Sequence, residues 1–163
     1  MRPVRDAIGE TVHLGVPEGP ELVIIGRLDG TQPLRAFLQL GTRAPLHGSA
    51  GGRAILAAMT DDEVELVLDA GIRRYTSRTI TDRGRILRAV QQTRERGYAV
   101  NEGEWRTDIA AVAAAVLDRS RRPVAAISVS LPLNRYAEMD HATIAGLVMP
   151  AAARVGQLAQ GAG

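Results

Sequence analysis

LGTRAPLHGSAGGRAILAAM, residues Leu40–Met59, decides how the rest of the chain is arranged. Gly41 and Pro45 break any regular structure before it, and Ser49 is a good N-cap, because its hydroxyl can accept a free backbone N–H one turn in. From Ala50 onward, Ala54, Ile55, Leu56, Ala57 and Ala58 favour helix at helical apolar spacing. His47–Gly52 is therefore a loop feeding a helix N-terminus, with glycines that let backbone approach something closely. Two readings of that close approach stand. A helix start with free N–H groups is a ready anion site, and the same geometry suits a tight helix packed on a neighbouring sheet.

At 163 residues the chain is sized for a single domain with a real core. It has no cysteine, so neither disulfides nor thiolate chemistry enter. No apolar run is expected to span a membrane and Met1–Glu10 lacks a signal-peptide core, so a cytoplasmic protein is expected. All 20 basic residues are arginine, against 18 acids. They are scattered, apart from short groups such as Arg73–Arg74 and Arg119, Arg121 and Arg122, which is not the concentrated basic face of a nucleic-acid binder. The aromatic set, Phe37, Tyr75, Tyr98, Trp105 and Tyr136, is too small for a base-stacking platform.

Upstream of the opening stretch, Thr11–Val16 alternates as a strand with one buried face, and Leu22–Leu28 forms a hairpin with it across Pro17–Pro20. Leu34–Leu38 reads as a third strand. His13 is either a ligand or proton shuttle, or a hydrogen-bonded bystander. Downstream, Thr60 caps a helix over Asp61–Asp69, ended by Gly71. Tyr75–Ile80 has the β-branched content of an extended segment. Thr81 caps a helix over Asp82–Arg96 with Ile86, Leu87, Val90 and Thr93 inside and Gly97 as its stop. The arginines of that helix form a solvated face or a partner surface.

Tyr98–Val100 starts a strand, and Asn101–Asp108 is a polar loop carrying Trp105. Ile109–Leu117 (IAAVAAAVL) is either a strand or, on its alanines, a helix. Val124–Leu131 alternates as a strand with Ser128 and Ser130 on one face. Those serines are either ligand contacts or a solvated strand face. Tyr136–Gln160 is mainly helical, with Pro150 kinking or dividing it. Antiparallel strands with helices gathered on the faces describe an α+β domain.

In this order and spacing the residues resemble the effector-binding domain of IclR-type transcriptional regulators over nearly the whole chain. The resemblance rests on Gly9–Val12, on Gly41 with Pro45–His47, Ala50, Gly52–Ala54 and Leu56–Ala57, then on Thr76, Thr79–Thr81, Arg94 and Gly97–Ala99. It continues through Glu104, Ile109, Val112–Ala113, Val116 and Ala126–Ser130. It implies a GAF-like fold, a curved antiparallel sheet flanked by helices that cups a small molecule. It also implies homodimers or homotetramers, and operator DNA bound through an N-terminal winged helix-turn-helix domain. That domain is expected to be absent from residues 1–163, with residues 1–8 the remnant of the helix joining the two. DNA binding by this chain alone is therefore not expected.

The ligand pocket implied by the resemblance comprises Ala44, Ala50, Gly51, Asn101, Ile109, Ala111, Ser128 and Ser130. Trp105 and Asp108 are further candidates, Trp105 either closing over the ligand or sitting in an oligomer interface. The implied effector is a small organic or aromatic carboxylic acid, held by the N–H groups of Ala50–Gly52 and by Ser128 and Ser130. Asn101 stands where aspartate is common. Ala111 stands where cysteine or serine is frequent, which makes the pocket roomier, and Asp108 and Ala115 replace a glycine and a proline. Asp108 is expected to supply the charge Asn101 lacks if it faces the pocket. Arg53 stands where lysine is usual and is expected to point away from the ligand. No catalytic residue, metal or cofactor is expected: His13, His47 and His141 have no ligand spacing, and Gly48–Gly52 lacks the G-x-S-x-G pattern. The alternative to ligand sensing is a ligand-free oligomerisation module.

Overall fold

Gly19, at φ 59°, and Pro20 reverse the chain between β1 (Thr11–Glu18) and β2 (Glu21–Leu28), giving the expected hairpin. These coordinates are a computed structural model that describes residues 1–161. Before the hairpin lies α1 (Arg2–Ile8), closed by Gly9 at φ 74°. After it come β3 (Arg43–Pro45), α2 (Ala50–Ala58), α3 (Asp61–Asp69) and α4 (Arg83–Arg96), then β4 (Ala99–Glu102), β5 (Ile109–Leu117) and β6 (Pro123–Pro132). The chain closes with α5 (Leu133–Tyr136) and α6 (His141–Gly161). The strands form one antiparallel sheet in the order β3-β2-β1-β6-β5-β4, flanked by helices as an α+β fold.

Both faces of this sheet are covered. Val12, Val129, Val112 and Val100 are successive cross-strand partners, and all pack into a core shared with Val4 of α1 and Ile144 and Val148 of α6. The opposite face meets α2, α3 and α4 through Leu22, Ile24, Leu46, Ile55, Leu56, Val64, Leu68, Ile86 and Val90. The expectation of one buried face for β1 is therefore corrected: Thr11, Val12 and His13 are all buried, because β1 is central and helices lie on either side. The same sandwiching settles IAAVAAAVL as strand β5. Ala113 packs on Ala50, Ala54 and Ala99, where small side chains let α2 come close. Tertiary packing overrides the helix preference of alanine.

Other expectations are corrected by the structure. Leu34–Leu38 is not a strand but part of an irregular segment between β2 and β3, and the short Arg43–Pro45 takes the sheet edge instead. Tyr75–Ile80 is a loop, since Thr79 turns back to accept the N–H groups of Tyr75 and Thr76 through its hydroxyl. The cap of α4 is Asp82, which accepts the Arg85 N–H, and not Thr81. Asn101 and Glu102 belong to β4, not to the polar loop. Pro150 lies inside an unbroken α6, and the helical break falls earlier, between Tyr136 and His141.

Nor does the expectation about apolar runs hold for α6. Residues His141–Ala159 are long and apolar enough, at mean hydropathy 1.2, to cross a membrane by length and composition. Here Ile144, Ala145, Val148 and Ala152 of that helix bury against the sheet. The arginines of α4 are also partly structural. Arg83 pairs with Glu65 and Asp69, while Arg94 caps the end of α2 through the carbonyls of Ala57 and Met59 and pairs with Asp61.

Candidate ligand-binding site

Residues paired directly across adjacent strands share a face of the sheet. Thr11, Ser130, Ala111 and Asn101 form one such row from β1 to β4, and His13, Ser128, Ala113 and Ala99 form the next. Both rows face α2. The start of that helix sits over the first row. There, Ser49 accepts the Gly52 N–H and donates to the Pro45 carbonyl, which fixes the turn into the helix.

Between sheet and helix start lies a cavity of about 450 Å³ including its mouth. Ala44, Ala50, Gly51, Asn101, Ile109, Ala111, Ser128 and Ser130 all line it, and Trp105 forms part of its wall. Asp108 does not: it is exposed in the adjacent cleft with Leu34, Arg35 and Phe37, so it brings no charge to this cavity. Sequence reasoning missed Leu22, Ile24, Leu38, Ser49 and Arg106, which complete the wall. Alternation along Leu22–Leu28 places Leu22 and Ile24 on one face, but nothing in a polar loop or an irregular segment announced Arg106 or Leu38.

Hydrogen bonding divides these residues. Asn101 is largely engaged, its oxygen accepting the Glu104 N–H and its amide nitrogen donating to the Gly48 carbonyl. That leaves one amide hydrogen. Among the described residues Ser128 Oγ has no protein partner, and Ser130 Oγ meets only His13 Nδ1, at 3.3 Å. His13 Nε2 in turn accepts the Leu38 N–H at 3.0 Å. Burial, reinforced by the Arg27 charge, pushes the His13 imidazole down to about 4, although Asp29 acts in the opposite sense. The ring is therefore neutral near pH 7.

The expectation of three free N–H groups at Ala50–Gly52 is corrected, because Ser49 uses that of Gly52. Those of Ala50 and Gly51, in the first helical turn, have no partner within the helix. Arg53 is buried and points elsewhere, to Glu104 and the carbonyls of Val100 and His47, tying the Trp105 loop to α2. Thr76 and Thr79 hold the same loop from the other side through the carbonyls of Gly103 and Glu104. Arg106 stacks on the Trp105 ring, 4.9 Å from its centroid, and lies at the cavity wall. Among the described residues the wall contains hydroxyl, amide and guanidinium donors but no carboxylate. Such a site suits an acceptor-rich ligand with an apolar body.

The family model for the C-terminal domain of the bacterial transcriptional regulator IclR matches residues 1–157. The chain belongs to the IclR family. This IclR-type domain is 38% identical over 131 residues to the HTH-type transcriptional repressor AllR of Salmonella paratyphi A, covering 80% of this chain and 48% of the repressor. It thus spans about half the length of the curated relatives it matches. It is similar to the Thermotoga maritima IclR structure at TM-score 0.90 and 28% identity, over 96% of this chain and 64% of that one. An IclR homolog from Microbacterium hydrocarbonoxydans complexed with 4-hydroxybenzoate shares the fold at TM-score 0.83 and 24% identity, over 96% of this chain and 62% of that one. These relatives are named as transcriptional regulators, not as enzymes.

Proposed function

We propose that the cavity is the effector site of a transcriptional regulator and holds a small organic or aromatic carboxylic acid. The observation that supports it is the meeting of the Ser128 and Ser130 hydroxyls, the first N–H groups of α2 and Arg106 around one cavity free of carboxylates. The acid end is held by those donors. Its body lies against Leu22, Ile24, Leu38, Ala44, Ile109 and Ala111, with Asn101 and Trp105 at the side.

Occupancy modulates DNA binding by a winged helix-turn-helix domain upstream in the longer protein, to which α1 connects. The protein works in the cytoplasm as a homodimer or homotetramer, and residues 1–163 alone shift no operator DNA.

Thermal unfolding in the presence of acetate, pyruvate, benzoate and 4-hydroxybenzoate tests this. An acid at about 100 times its Kd stabilises by about 2.7 kcal/mol. In a domain of this size that raises the melting temperature by about 5–10 °C. Ser128→Ala, which removes a hydroxyl with no protein partner among the described residues, is expected to reduce the shift while leaving the ligand-free melting temperature nearly unchanged, whereas Ser130→Ala also orphans His13 Nδ1–H and lowers it. If no acid shifts the wild type, the domain is instead a ligand-free oligomerisation module.

A further inference from the structure

The cavity floor contains a buried hydrogen-bond relay that ends on one of its hydroxyls. His13 is 0% exposed, and its two ring nitrogens face different elements: Nε2 toward Leu38 in the segment between β2 and β3, Nδ1 toward Ser130 on β6. A backbone N–H can only donate. Because Leu38 N–H points at Nε2, the neutral ring must carry its hydrogen on Nδ1. Nδ1–H therefore donates to Ser130 Oγ, and the hydroxyl hydrogen of Ser130 is left over. Ser130 is only 4% exposed and lines the cavity, and its Oγ has no second protein partner among the described residues. Its hydrogen is directed to whatever occupies the cavity.

We propose that His13 is a positioning residue for effector recognition: by donating to Ser130 Oγ it takes up one of that oxygen's two acceptor lone pairs and turns the hydroxyl hydrogen toward the cavity, so the site favours an acceptor oxygen at Ser130. A free serine presents either a donor or an acceptor by rotating its hydroxyl. Held by Nδ1–H, this one accepts from the ring and turns its hydrogen toward the cavity. A ligand that offers only hydrogens at Ser130 meets that hydrogen and binds more weakly than one that offers an oxygen lone pair. The same ring holds Leu38, itself a wall residue, while Arg27 stacks on the neighbouring Phe37 at 4.9 Å. His13 thereby sets the hydroxyl and one wall of the cavity together. This inference rests on the cavity being the effector site.

Two measurements on the intact chain test it. The first is the tautomer of His13, read at pH 7 from long-range proton–nitrogen correlations of the imidazole. The Nδ1–H form is expected, and the Nε2–H form would overturn the proposal without reference to any ligand. The second is calorimetric binding of whichever of benzoate, 4-hydroxybenzoate, pyruvate or acetate binds the wild type most tightly. His13→Asn keeps an amide donor in the place of Nδ1 and should bind within about threefold of wild type. His13→Phe removes the donor and should bind at least about tenfold more weakly, about one pKd unit. Equal binding by the phenylalanine and asparagine variants overturns the role of His13 while the effector reading stands. Binding of none of the acids by the wild type overturns that reading, and the acceptor selection with it.

Discussion

Asn101 illustrates how one atom changes the work of a residue. Its amide nitrogen donates to the Gly48 carbonyl and its oxygen accepts the Glu104 N–H, so it joins the loop before α2 to the loop carrying Trp105. An aspartate keeps only the second bond and turns a carboxylate oxygen toward a carbonyl in a buried site. Asn101→Asp is expected to destabilise the domain by about 1–3 kcal/mol at pH 7. Urea unfolding at pH 7 and pH 5 measures it, and the deficit should shrink at the lower pH as the carboxyl regains a proton and can donate. An unchanged midpoint at pH 7 would show that the bond to Gly48 contributes nothing. The sequence signal, an amide where aspartate is common, pointed to ligand chemistry; the structure gives it first to the scaffold.

The helix α2 carries the close approach that its glycines foretold, but the partner is protein backbone. A Cβ on Gly52 would stand 2.3 Å from Leu46 Cα and 2.6 Å from the Leu46 carbonyl oxygen. One on Gly51 would stand 2.6 Å from Leu22 Cδ2, the end of a side chain that can shift. Gly52→Ala is therefore expected to cost about 1–3 kcal/mol, since backbone must move to relieve it. Gly51→Ala should cost less yet narrow the cavity. Chemical denaturation of both variants checks the order, and a larger loss for Gly51→Ala would contradict it. The helix needs no charged residue at its start to hold its place: Ser49 caps it, Arg94 closes its other end, and Arg53 with Glu104 pins its flank.

At the scale of the whole molecule, helices on both faces of the sheet are what place His13 in the interior. A histidine whose folded pKa lies below its unfolded value binds fewer protons in the native state, so stability is fully present above the unfolded pKa and falls as pH drops toward the folded one. With His13 pushed from 6.5 to about 4, global stability should fall by about 3 kcal/mol between those pH values, at about 1.4 kcal/mol per unit. The groups facing the ring are Arg27, which favours the neutral form, and Asp29, which opposes it. Half-buried Glu63 and exposed Asp140, both held below the usual carboxylate range by hydrogen bonds from their helix starts, lose their contribution as pH falls through and below that range. Urea midpoints from pH 7 to pH 4 should show the decline, and His13→Asn should flatten it. An identical slope in that variant would remove His13 as the cause.

Local chemistry alone determined much of this protein. Caps at Ser49 and Thr60, the stop at Gly97 and the hairpin across Gly19–Pro20 all depend on contacts within a few residues. They are legible because a capping hydroxyl or a left-handed glycine acts on its own neighbours. The gathering of Ala44, Ala50, Gly51, Asn101, Ile109, Ala111, Ser128 and Ser130 was legible only through resemblance, as no periodicity joins positions so far apart. What tertiary structure alone decided is which of two neighbours does what. Arg106 rather than Asp108 lines the cavity, Arg43–Pro45 rather than Leu34–Leu38 holds the sheet edge, and IAAVAAAVL is a strand. Each depends on strand register and on what packs across from it, and those are long-range pairings that the local sequence does not encode.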